Sequence, residues 1–425
     1  MLLVSHGSDG DVLPFVRLGR TLRGRGHEVT LITHAPYASA ALGAGLDFAP
    51  IDTAAEYERQ LGDTTGLLAG QAPGRWLEFY ERHGLFGQAL LEFRAIAERH
   101  APGRTVLVGR HTSAVSVLMA AERLGAPAAW VAVSPVQIMA ARGARHLYAT
   151  VLREGLEKVR AAAGLSPDVD WAEYFHSADL ELGLWPAWFD RAGARSPGRV
   201  RLTGFPLADD RPRPIPARAE ELLAGPVPPV LVTGGTGRML HPEFYPTAVA
   251  ACARAGRPAL LVVRHRDLVP ETLPEGVRWF PALPFREVMP RVGVVLHHGG
   301  IGTLARALAA RTPQVILAHG VDRPDNAERL AALGLARWLP QGAWTPDEIA
   351  PLLSVAPSQE PPIQAVPGDG AEAAAGEIET LLERGRDPRG APLPEPGAAE
   401  PLRERLRRLP PVQRRELLRR MEGRR

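Results

Sequence analysis

Short apolar runs alternate with longer stretches of helical periodicity along most of the chain. The runs lie at 2–4, 29–32, 46–51, 105–109, 128–133, 180–184 and 200–202, then again at 230–233, 259–263, 277–280 and 294–296. Most are apolar at nearly every position, the pattern of strands buried on both faces of a parallel sheet. Between them, Phe15, Leu18 and Leu22 share one helical face and Gly26 is placed to close that helix. A strand, a glycine-rich loop (His6 to Asp11), a helix and a second strand make a βαβ unit, and its crossover is right-handed.

The regularity is interrupted at three places. Residues 54–104 carry no strand signal but contain Trp76, Phe79, Tyr80, Phe86 and Phe93 at helical spacings. These aromatics either pack helices on the sheet or wall an apolar substrate cleft. Prolines 206, 212, 214, 216, 226, 228 and 229 crowd a stretch expected to be semi-rigid and without regular structure. A second proline-rich segment begins at 386 and leads into a basic tail. The expected division is residues 1–206, a linker at 207–229, a second α/β domain at 230–385, and a linker with a basic amphipathic helical tail at 386–425.

Composition bounds the class. A chain of 425 residues exceeds one hydrophobic core. No apolar run approaches the ~20 residues of a membrane span. The first strand starts at Met1 without a basic leader, so a cytoplasmic location is expected. Cys252 is the sole cysteine, which excludes an internal disulfide and a cysteine-based zinc site. Residues 401–425 hold ten arginines against Glu404, Glu416 and Glu422, leaving a mildly acidic body. The tail is a candidate for peripheral contact with the inner membrane face. Nucleic acid is not expected, because no aromatic is interleaved with those arginines.

The most informative stretch is 294–334. Val294 to Leu296 lead into His297, His298, Gly299, Gly300, Ile301, Gly302 and Thr303. Glycines let the backbone approach a ligand, and Thr303 is expected to cap a helix beginning at Leu304, whose free N–H groups favour an anion. Gly300 to Ala305 also fits a dinucleotide fingerprint, with Asp322 further on, so an NAD(P)-dependent oxidoreductase is an alternative. The fingerprint belongs on the first βαβ of a nucleotide domain, however, and here three strands precede it. It also leaves the two histidines unexplained.

His297 to Thr303, Thr312-Pro313-Gln314 and Asp322 to Arg329 resemble the nucleotide-sugar signature of family-one glycosyltransferases. The likeness is to the bacterial branch of sterol glucosyltransferase, rhamnosyltransferase and glycopeptide glycosyltransferase type. Gly7 to Phe15 resembles that branch's N-terminal signature, and Gly26 to Thr30 and Thr203 to Pro206 extend the likeness. The resemblance implies a GT-B fold, two Rossmann-like domains with parallel sheets facing a cleft. It implies an inverting, metal-independent hexosyltransferase using a UDP- or dTDP-sugar as substrate, with no cofactor.

Asp11 lies in a glycine loop at the end of the first strand, where open α/β sheets bind ligands, and is the first choice of general base. His6 and His111 are alternatives or assistants. His297 matches the family histidine that contacts the donor pyrophosphate, while His298 is expected to be structural. Gly299, Gly300, Gly302 and Thr303 would serve the same group, Thr236 faces the phosphates, and Asp322 is expected to hold a sugar hydroxyl. Arg323 stands where relatives have glutamine, suiting a negatively charged donor or turning outward. The acceptor is expected to be lipophilic. A sugar-nucleotide-binding protein without turnover is the remaining alternative.

Overall fold

The computed structural model describes residues 1–69, 74–207, 213–238, 240–320, 322–354 and 369–386. The basic tail expected at 401–425 lies outside them. Two all-parallel sheets carry the fold. The first comprises β1 (Leu2–Val4), β2 (Thr30–Thr33), β3 (Asp47–Pro50), β4 (Leu107–Arg110), β5 (Ala128–Ala132), β6 (Leu180–Gly183) and β7 (Val200–Leu202), in the order β3-β2-β1-β4-β5-β6-β7. The second comprises β8 (Val230–Thr233), β9 (Ala259–Val262), β10 (Val277–Phe280), β11 (Val294–His297), β12 (Gln314–Ala318) and β13 (Arg337–Pro340), in the order β10-β9-β8-β11-β12-β13.

The apolar runs thus form strands as the pattern predicts, and helices cover both faces of each sheet. In each sheet the strand order reverses once, between β1 and β4 and between β8 and β11. Val4 is level with Gly109, and Thr233 with His297. The loops leaving each pair therefore open a crevice together, where sheets of this kind bind ligands.

The aromatic helices Gly74–Arg82 and Leu85–Arg99 pack rather than line an open wall. Phe79 and Phe93 are buried, and Tyr80 and Phe86 lie on the same core as Phe93 and Trp130. Each such side chain, once fully buried, contributes roughly 1.5–3 kcal/mol. Cys252 is likewise a buried helix residue.

Two features depart from expectation. A helix, Ala217–Leu223, stands inside the proline-rich stretch and buries Ala219. Proline is excluded from a helix interior, but Pro216 caps this one and the seven residues that follow contain none. The last described helix, Gly370–Arg384, was expected with the second sheet. Instead Ala374, Ala375, Ile378 and Leu381 join the core of Val12, Phe15, Leu18 and Leu22 beneath the first. Its apolar stripe completes a layer that Asp9–Gly24 leaves half covered, and Arg25 fastens it through Glu372 and Glu379 at 2.7 and 2.6 Å.

A separate apolar seam joins the two halves. Ile138, Trp185, Phe189 and Phe205 of the first meet Leu304, Leu308, Leu330 and Leu335 of the second. Arg329, 1% exposed, crosses it and donates to the carbonyls of Phe189, Asp190 and Ala194 at 3.1, 2.8 and 3.0 Å.

Candidate active site

The loop after β1 is set by Gly7, whose φ of +108° and missing Cβ let Asp11 fold beneath it; a Cβ there would lie 2.5 Å from Asp11 Oδ2. Asp11 Oδ2 accepts the Ser8 amide at 3.0 Å and the Ser8 hydroxyl at 3.2 Å, closing a capping box on Asp9–Gly24. Its other oxygen accepts Nε and Nη2 of Arg110 at 3.1 and 2.7 Å, and Gln137 at 3.4 Å. Asp11 is therefore tied on both oxygens, rather than the bare carboxylate a lone general base presents.

His6, at the end of the same strand, meets a carboxylate that the helix pattern hid. Its Nε2 lies 2.6 Å from Oε1 of Glu92, a buried residue of Leu85–Arg99. Ser116 donates to the other Glu92 oxygen at 2.5 Å. Nδ1 of His6 is 3.3 Å from the Ser113 hydroxyl, which accepts Arg110 Nη1 at 3.0 Å. A continuous polar chain therefore runs Ser116, Glu92, His6, Ser113, Arg110, Asp11.

His111 does not join it. Successive residues of an extended chain point to opposite faces, so with Arg110 turned to Asp11, His111 turns the other way. It is buried against the Trp130 ring, 3.9 Å from Glu181, and burial lowers its pKa to about 4. Sequence reasoning also passed over His34, which links Gly7 to Asp52. It accepts the Gly7 amide at 3.1 Å and meets Asp52 at 2.6 Å.

In the second half, Gly299 has φ +88° and Gly300 is the N-cap of helix Ile301–Ala309. The cap expected at Thr303 is displaced because helical geometry already begins at Ile301; Thr303 donates its own amide to the Gly300 carbonyl at 3.0 Å.

The two histidines differ in their bonding. His297 closes β11 with its ring inside the sheet. Its Nε2 pairs with Gln314 Oε1 at 3.0 Å and its Nδ1 accepts the Gly299 amide at 3.2 Å, which leaves neither nitrogen for a ligand. Burial lowers its pKa to about 4. His298 follows on the loop, and its buried Nδ1 has no partner. Its ring lies over two glycines: a Cβ on Gly235 would come within 2.8 Å of it and one on Gly300 within 2.5 Å. The paired glycine loops after β8 and β11 make room for this ring. Thr236 is exposed at the edge of the β8 loop, its carbonyl 3.1 Å from His265 Nε2.

Asp322 caps helix Arg323–Ala332 and accepts Asn326 Nδ2 at 3.2 Å, while the same amide group reaches the Gly299 carbonyl at 3.1 Å. Asn326 thus ties the β11 loop to the β12 loop. Desolvation raises the Asp322 pKa, the Arg323 charge opposes that, and the Asp11 charge adds to it. That last influence couples the β1 loop of the first half to the β12 loop of the second electrostatically. The two halves are also joined directly, since Arg264 Nη1, just after β9, donates to Asp9 Oδ2 at 2.9 Å. Arg323 folds back to the His319 carbonyl at 3.1 Å. Among the described residues no three His, Cys, Asp or Glu side chains converge as metal ligands.

Residues 1–129 match the family model of the glycosyltransferase family 28 N-terminal domain. Residues 259–367 match that of the erythromycin biosynthesis protein CIII-like C-terminal domain. Among curated relatives, O-mycaminosyltylonolide 6-deoxyallosyltransferase of Streptomyces fradiae is 38% identical over 145 residues, a third of each chain (33%). The dTDP-epi-vancosaminyltransferase of Amycolatopsis orientalis is 25% identical, across 79% of this chain and 84% of its own. Glycosyltransferase GtfE of the same organism is 27% identical, across 88% and 96%. The solved calicheamicin glycosyltransferase shares the fold with a TM-score of 0.65 at 20% identity, covering 90% of this chain and 98% of that one.

Two parallel-sheet, Rossmann-like domains with these matches define a GT-B glycosyltransferase, an enzyme of the nucleotide-sugar-dependent class. The chain belongs to the family-one glycosyltransferases, of the type represented by these macrolide and glycopeptide enzymes. The oxidoreductase reading of 300–305 is set aside: the N-terminal domain matches a glycosyltransferase model, the relatives that span both halves are glycosyltransferases, and the loop follows the fourth strand of its sheet in chain order.

Proposed function

We propose that the enzyme moves a hexose or deoxyhexose from a dTDP- or UDP-sugar to a hydroxyl of a large, lipophilic aglycone, with inversion and without a metal ion. The observation that carries this is the unpartnered His298 nitrogen, held between two glycine loops beside the N-terminus of Ile301–Ala309. Amides of that helix end, its dipole and the His298 ring offer a diphosphate several donors as negative charge builds on the leaving oxygen. A cation performs that task in other phosphate chemistry. Asp322 would accept sugar hydroxyls.

The acceptor hydroxyl would approach from the first half, where the polar chain around His6 and Asp11 can take its proton. Attack from the side opposite the diphosphate inverts the anomeric carbon. A dTDP-sugar donor and an antibiotic-type acceptor are supported by relatives: one is a dTDP-epi-vancosaminyltransferase and another an O-mycaminosyltylonolide 6-deoxyallosyltransferase.

Mass spectrometry of products from a panel of dTDP-, UDP- and GDP-sugars with macrolide and glycopeptide aglycones tests the reading. A product carrying one added sugar, with inverted anomeric coupling by NMR and turnover unchanged by EDTA, is expected. Donor binding without transfer or hydrolysis would leave a binding protein instead.

A further inference from the structure

Glu92 is a buried carboxylate near the β1 loop whose described ion-pair partner, like that of Asp52, is a histidine and not an arginine; unlike Asp52, whose partner His34 is itself buried, it pairs with a ring that reaches the crevice, His6. Its oxygens take His6 Nε2 at 2.6 Å and Ser116 Oγ at 2.5 Å. Burying an ionised carboxylate costs several kcal/mol unless it is paired. The partner here is a ring whose side chain stays 15% exposed at the crevice while Glu92 is 3% exposed. Asp11, by contrast, has its charge taken up by Arg110.

We infer that Glu92 is a positioning residue that orients His6 as the base for the acceptor hydroxyl, with Asp11 and Arg110 fixing the opposite end of the same chain. This rests on the glycosyl-transfer reading above. A carboxylate only accepts, so Glu92 keeps the proton of His6 on Nε2 and leaves the lone pair on Nδ1. Ser113 supports this, because its oxygen accepts from Arg110 and its own proton is directed at Nδ1. At 3.3 Å that contact is long, and an acceptor hydroxyl replaces it at Nδ1.

The step balances within the site. The acceptor oxygen bonds to the anomeric carbon, the bond from that carbon to the diphosphate breaks with its electron pair on the leaving oxygen, and the acceptor proton passes to Nδ1. The imidazolium so formed faces the Glu92 carboxylate. A glutamine would serve equally well to fill the space and bond Ser116, so the charge is the functional part.

The test is steady-state kinetics on the full chain with the best donor and acceptor. His6→Gln is expected to lower kcat by about 10²–10⁴-fold, the range for loss of a general base. Glu92→Gln should lower kcat by about 10–100-fold, as when a histidine loses its orienting partner, with donor KM within about twofold and Glu92→Asp recovering part of the rate. His6→Gly should regain turnover with added imidazole, a readout that does not depend on Glu92→Gln folding. If wild type transfers sugar but Glu92→Gln keeps full kcat, or imidazole restores nothing, the pair is not the base and glycosyl transfer still stands. A wild type that transfers to no acceptor overturns both.

Discussion

Gly193 and Arg329 meet so closely that a Cβ on the glycine would lie 2.7 Å from Cζ of the guanidinium. The glycine belongs to the first half, the arginine to the second, and three carbonyls of the first half are satisfied by that one side chain. Gly193→Ala should push the guanidinium off its carbonyls, and Arg329→Met should strand them and leave Asp325, its 2.7 Å partner, unpaired. Each is expected to destabilise the protein by about 2–4 kcal/mol, read from urea unfolding monitored by tryptophan fluorescence.

Substituting the two histidines in turn should separate affinity from stability. His298→Ala should raise donor KM about tenfold, the size of one hydrogen bond to a charged group at ~1.5 kcal/mol. Because Nδ1 bonds nothing in the free protein, the change strands no partner there, and its melting temperature should fall less than that of His297→Ala. His297→Ala should instead lower the melting temperature, since it strands the Gly299 amide and Gln314. Thermal melts with and without dTDP, set beside the kinetics, check both; the reverse pattern would restore His297 to the donor.

Acid should weaken the second half through His297. Its pKa is about 4 in the folded protein against 6.5 for a free imidazole, so the unfolded chain binds the proton more tightly. The stability it contributes is complete above pH 6.5 and is lost as pH falls toward 4, to a total on the order of 3 kcal/mol. Melting temperatures between pH 7 and 4 should fall more steeply for wild type than for His297→Gln.

Arg323 acts on Asp322 as much as on any donor. Burial already raises the Asp322 pKa and the Arg323 charge holds it down. Arg323→Gln should therefore move the acid limb of the pH–rate profile upward, because sugar hydroxyls need the ionised carboxylate. Donor ranking in the same variant checks the anionic-donor idea, which falls if the ranking is unchanged.

Asn326 holds two loops with one amide group. Asn326→Ala frees the Gly299 carbonyl and Asp322 together, and kcat/KM for the donor is expected to fall about 10–100-fold, the cost of 1.5–3 kcal/mol of lost positioning. Crystals or hydrogen exchange of the variant should show loosening confined to these loops.

The legible parts of this molecule were those written in local chemistry. Apolar runs announced eleven of the thirteen described strands, because short segments apolar at nearly every position suit a parallel sheet covered on both faces, and glycines at 7, 299 and 300 announced loops. What stayed hidden depends on direction and distance. His297 and His298 have the same composition and differ only in which side of a strand end they face, as do Arg110 and His111. Glu92 reads as one more solvent-facing helix residue until the fold lays its helix on β1. The place of Gly370–Arg384 could not be read from its stripe, because an apolar stripe does not say which sheet it will cover.

That last helix has a consequence for how the chain is made. The core beneath the first sheet needs Ala374, Ala375, Ile378 and Leu381, which leave the ribosome only after the whole second sheet. At roughly 5–20 residues per second the interval is on the order of tens of seconds. Through that time the flank of Phe15, Leu18 and Leu22 waits uncovered, so the first sheet's core is closed only after the second sheet has emerged.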